Sequence, residues 1–133
     1  MSERVAPSAA GVPAVEPVAG DSPPERNGAV VVLVTAPSAE VAERIGRALV
    51  EERLAACANV VAGVTSIFRW KGAIEQESEV LVILKTTAAG VEPLRRRVVE
   101  LHPYEVPEVV ALAVESGHGP YLDWVRASVG TQP

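Results

Sequence analysis

The stretch ACANVVAGVTSIFRWKGAIEQESEVLVILKTT, residues 56–87, decides the fold. Its first half is rich in β-branched and aromatic residues, the composition of a strand. Gly63 interrupts that run without ending it, which marks a bulge. Lys71-Gly72 is a turn signal. Residues 73–87 then return as the partner strand. A long antiparallel hairpin is therefore expected in the middle of the domain. Glu75, Glu77 and Glu79 recur at period two, so all three point to one face of it. The row reads as a solvated edge that discourages aggregation, or as an oxygen-rich cation site. Arg69 and Lys71 on the facing arm would weaken the second reading.

Working outward, AVVVLV (29–34) is a continuous apolar run suited to a buried strand. Pro37-Ser38 punctuates it, with Ser38 placed to cap a helix. Val41, Ile45, Ala48 and Leu49 follow at helical spacing, and Glu40/Arg44 and Glu43/Arg47 form i,i+4 pairs on the outer side. Downstream of the hairpin, Val91, Leu94, Val98 and Leu101 lie on one helical face. Pro93 fits only in a first turn, so this helix begins near residue 90. VPEVVALAV (106–114) predicts another strand, and PYLDWVRASV (120–129) a short terminal helix. The order strand, helix, strand, strand, helix, strand is the split βαβ, ferredoxin-like order. The fold class is α+β with an antiparallel sheet. Residues 1–28 lack any helix or strand period and are rich in Pro and Ala, so they read as a disordered tail.

Residues 29–34, 80–84 and 109–114 are apolar at every position. A strand with one wet face should alternate. Two helices cover only one face of a four-stranded sheet, and no segment remains to cover the other. Soluble proteins avoid leaving such a patch bare. The pattern therefore predicts a homo-oligomer with sheet faces packed inward.

The net charge of -5 argues against a nucleic-acid partner, which wants a basic face. No apolar run approaches the roughly 20 residues of a membrane span. One cysteine excludes an internal disulfide and fits a reducing, cytoplasmic setting. No phosphate-loop, dinucleotide or nucleophile-elbow motif occurs, and the chain is not read as an enzyme. Cys57 is either a small buried hydrophobe or a soft thiolate ligand. His102 precedes Pro103 at the end of the second helix. It is either a partner for the helix dipole or a metal ligand. Pro103 and Pro107 make HPYEVPE (102–108) a rigid corner. Glu105 and Glu108 are solvated, paired or metal-binding. Tyr104 is a packing residue, and an acid–base role for His102 with Glu105 or Tyr104 lacks any accompanying nucleophile.

These stretches together resemble the CutA family of divalent-cation tolerance proteins. The similarity runs in order through VLVTAPS (32–38), LVEERLAACANVV (49–61), SIFRWKGAIEQESEVLVILKTT (66–87), ELHPYEVPEVVAL (100–112) and YLDWV (121–125). It makes residues 29–133 a CutA-like, ferredoxin-like domain. The resemblance implies a homotrimer, a likeness to trimeric PII signalling proteins, and a response to copper or another divalent cation. Carried over by position, it implies Cys57 and His102 as metal ligands, with Glu105 a weaker addition. Many members have a cysteine and an acidic residue near Ala36 and Ser38, and this chain lacks both. The alternative it implies is a PII-like trimer that binds a small molecule or protein at clefts between subunits.

Overall fold

A computed structural model describes residues 28–130, so the tail reading, apart from Gly28, lies outside the described residues. The elements run β1 (Ala29–Ala36), α1 (Ala39–Glu51), β2 (Cys57–Trp70), β3 (Ala73–Thr87), α2 (Val91–Leu101), β4 (Val110–Ala113) and α3 (Gly119–Ser128). The four strands form one sheet in the order β2-β3-β1-β4, with every neighbouring pair antiparallel. This is the split βαβ order expected from the sequence.

The register explains the core. Val30, Val32, Val34 and Ala36 of β1 lie opposite Thr86, Leu84, Val82 and Val80 of β3. All eight are buried. Ile45 and Leu49 of α1, with Leu94 and Val98 of α2, pack against that face in one cluster. Each fully buried Leu or Val stabilises by about 1.5–3 kcal/mol relative to exposure. Ser38 caps α1 as expected, its Oγ accepting from the Val41 N–H at 3.2 Å. Helix α1 sits unusually close to β2 at Gly46, where an added Cβ would stand 2.9 Å from that of Ala58.

The other face is different. Val31, Leu33, Leu81 and Ile83 are half-buried, while Val110 and Leu112 are 46% and 49% exposed. Within a single chain β1 and the body half of β3 are thus buried on one face only, while all four residues of β4 are exposed. Strand β4 is also shorter than the expected 106–114. Its ladder with β1 covers residues 110–113, and Pro107, which has no N–H to donate, lies outside it.

β1 pairs with β3 only as far as Ala36↔Val80. Beyond that, residues 64–70 pair with 73–79 alone, a seven-rung arm about 23 Å long. The expected bulge falls between Val61 and Val64, with Gly63 at φ 85°. At the tip Lys71 and Gly72 both have positive φ, and the Lys71 ammonium lies 5.4 Å over the Trp70 ring.

Two arginines tie the helices. Arg44 donates to the Leu101 carbonyl at 3.3 Å rather than closing on Glu40. Arg97 grips both carboxylate oxygens of Glu52, the C-cap of α1, at 2.9 and 3.0 Å. That hydrogen bonding holds the Glu52 pKa below its ordinary value. A lowered carboxylate pKa stabilises the fold above the unfolded-state value, and the gain disappears as pH falls through the folded one. Glu52 should therefore titrate at lower pH in the native chain than in Arg97→Ala, as followed by carbon-detected NMR. Gly46→Ala should destabilise by about 1–3 kcal/mol in urea denaturation through overpacking. Ala58→Gly in the same chain should recover most of that loss.

Candidate functional site

The corner that follows α2 is built from its backbone outward. His102 is the C-cap, with extended φ and ψ and its N–H bonded to the Val98 carbonyl at 2.8 Å. Extended backbone there is what Pro103 imposes on its predecessor. The chain then turns so that the Tyr104 N–H donates to His102 Nδ1 at 3.1 Å. A ring nitrogen that accepts carries no proton. The proton therefore sits on Nε2, which donates to the Thr35 carbonyl at 2.7 Å. The His102 and Tyr104 rings lie 4.6 Å apart, and both residues are buried.

From that base the Tyr104 hydroxyl donates to Glu79 Oε2 at 2.7 Å. Glu79 is only 3% exposed. The row of three glutamates is thus split. Glu75 remains exposed, Glu77 is half-buried, and Glu79 is drawn into the corner. Arg69 pairs across from Ile74, one position out of phase with the glutamates, so it stands on the opposite side of the arm. Glu108 is half-buried and accepts from Thr35 Oγ1 at 3.5 Å, whereas Glu105 is exposed. The role of Glu79 was not legible from period-two spacing. That spacing gives a face, but it does not say which carboxyl meets a tyrosine.

Cys57 lies elsewhere. It pairs with Lys85, which pairs with Val31, whereas His102 bonds to Thr35. Four residues of β1 separate the two levels, about 13 Å along the strand. The thiol is half-buried and free. Its Sγ stands 3.7 Å from the Tyr121 hydroxyl and 3.9 Å from Lys85 Nζ. Lys85 in turn donates to Asn59 Oδ1 at 2.7 Å. The hydrogen bond with Cys57, then burial and the sulfur's charge, push the Tyr121 pKa above its ordinary value. Cys57 lines a cleft of about 520 Å³ with Gly46, Arg47, Val50, Val60 and Trp124.

The structure therefore does not bring Cys57, His102 and Glu105 together within one chain. Among the described residues no group of three or more His, Cys, Asp or Glu side chains converges on a cation position. His102 could ligate a metal only by giving up one of its two hydrogen bonds. No helix among the described residues is long and apolar enough to cross a membrane.

A split βαβ sheet, a protruding hairpin and a proline-framed corner define an α+β protein of ferredoxin-like architecture. The family described as CutA1 divalent ion tolerance protein matches residues 30–128, and the chain belongs to that family. It is 54% identical over 100 residues to the divalent-cation tolerance protein CutA of Thermus thermophilus, covering 75% of this chain and 97% of that one. It is 55% identical over 93 residues to protein CutA of Homo sapiens, covering 70% of this chain and 52% of the human one. The match thus spans about half of the human relative. Among solved structures, the divalent cation tolerance protein of Thermus thermophilus superposes with a TM-score of 0.76 at 53% identity. That superposition covers 77% of this chain and 99% of the other. CutA1 of Oryza sativa gives 0.76 at 36% identity, covering 79% and 96%.

His102→Ala should cost about 2–5 kcal/mol in thermal or urea unfolding. It leaves the Thr35 carbonyl and Tyr104 N–H without their shared partner. His102→Gln, which offers both an acceptor and a donor, should recover part of that loss.

Proposed function

We propose that the chain is a homotrimeric divalent-cation tolerance protein of the cytoplasm that binds copper, or another divalent cation, through residues of more than one copy. The observation that carries this reading is the placement of the candidate ligands. Cys57 offers a partly exposed thiol at the outer strand of the sheet. Glu105 offers an exposed carboxylate at the far corner. A soft thiolate suits Cu(I), and additional donors have to come from elsewhere. A second copy supplies them if the outer strands of neighbours meet. The half-buried face formed by Val31, Leu33, Leu81 and Ile83, flanked by exposed Val110 and Leu112, supports such an assembly. The number three is what the family resemblance implies. The relatives named for divalent-cation tolerance support the metal response, and the free single thiol supports a reducing compartment.

A second reading has its own observation. The cleft of about 520 Å³ beside Cys57 is lined by Arg47 together with Glu43 and Glu51, so it offers both signs of charge to a small molecule. That fits a small molecule bound in the manner of PII-like trimers.

Calorimetric titration of metal-free protein with copper, under reducing and non-reducing conditions, separates the two. Saturable binding at a fixed ratio per trimer is expected, weakened about tenfold or more in Cys57→Ala and in Glu105→Ala. Binding indifferent to both changes would remove the metal reading. A rise in melting temperature with charged metabolites would then favour the second. Analytical ultracentrifugation should give three times the chain mass of 14.0 kDa.

A further inference from the structure

The arm leaves the sheet at one level, and two features meet there. On β3, Val80 is the last residue paired with β1, and Glu79 is the first arm residue beyond it. On β2, the ladder is broken at that same level by the bulge between Val61 and Val64. Gly63 within the bulge has φ 85° and nothing within 4 Å of where a Cβ would stand. A bulge bends its strand and loosens local pairing. The root of the arm therefore has a soft strand and, opposite it, a buried hydrogen bond from Tyr104 to Glu79.

We propose that these form a hinge and a latch. The bulge lets the arm swing, and the Tyr104 hydroxyl fixes its angle by holding Glu79. The latch does not float. Its backbone N–H is bonded to His102, and His102 is bonded to the Thr35 carbonyl near the end of β1. Arm seating is thus set by the 102–108 corner, whose outer surface carries exposed Glu105 and half-buried Glu108. Anything that shifts the corner shifts the arm. With both partners buried, water cannot substitute for the bond. This inference does not rest on the metal reading, because it is tested on metal-free protein.

The test is amide hydrogen exchange of the full chain, resolved by peptide and read by mass spectrometry. Tyr104→Phe removes only the hydroxyl. Residues 64–70 and 73–79 should then exchange about tenfold faster, while 29–36 and 80–87 keep their protection. Glu79→Gln keeps a side-chain oxygen to accept the bond and should leave the arm close to the parent rate. Unchanged exchange in the arm of Tyr104→Phe would overturn the latch. So would an equal increase across the whole sheet, which would mean general loss of stability. Equal loosening in Glu79→Gln would also overturn it, by making the charge rather than the hydrogen bond the cause.

Discussion

Strand β3 is 15 residues long and its neighbour β1 is eight. Most of the molecule's shape follows from that mismatch. Eight positions of β3 complete the ladder to β1 and carry Val80, Val82 and Leu84 into the core. The remaining positions find a partner only in β2, so they leave the body as an arm. Everything placed at the junction has to hold a two-stranded ribbon in position. Such a ribbon is marginal in water by itself. The corner after α2 is where the fold supplies that support. It takes one histidine, one tyrosine and one buried glutamate to do so.

The corner also changes how its own residues are read. HPYEVPE looks like a cluster of donors for a cation. In the folded chain its histidine joins a strand carbonyl to the next turn, and its tyrosine reaches an acidic side chain of another element. Buried polar groups tend to be fully hydrogen-bonded, because an unmet group costs about 1–3 kcal/mol. His102 meets that requirement with both nitrogens. Cys57 also has partners, the Tyr121 hydroxyl and Lys85 Nζ, but it is only half-buried, and the Glu105 carboxylate is exposed.

Local patterns made the architecture readable in the sequence. The turn at Lys71-Gly72, the bulge at Gly63, the cap at Ser38 and the helical spacing from Val91 to Leu101 each depend on a few neighbouring residues, and each appears where its chemistry requires. What could not be read was pairing across the chain. Glu79 and Tyr104 are 25 residues apart, and His102 and Thr35 are 67 apart. No local period encodes those meetings. That Pro107 stands outside the β4 ladder was legible in its missing N–H, but the apolar run beyond it outweighed that single donor. The continuous apolar strands were also only half explained. β1 and β3 stand buried against the helices on one side and half-covered on the other, and β4 is exposed throughout.

The sheet order leaves β2 at one edge and β4 at the other. These two edges differ in length and in the residues they present. If copies meet by unlike edges, β2 of one against β4 of the next, the contact is head-to-tail. Each copy added in that way exposes a fresh edge of each kind. A linear run would never use up its sticky ends, and open filaments grow by that geometry. Only a turn per copy that divides a full circle brings the last β4 back to the first β2. In such an assembly the angle between neighbours would decide between closed rings and fibres, and a substitution that alters it would act on solubility.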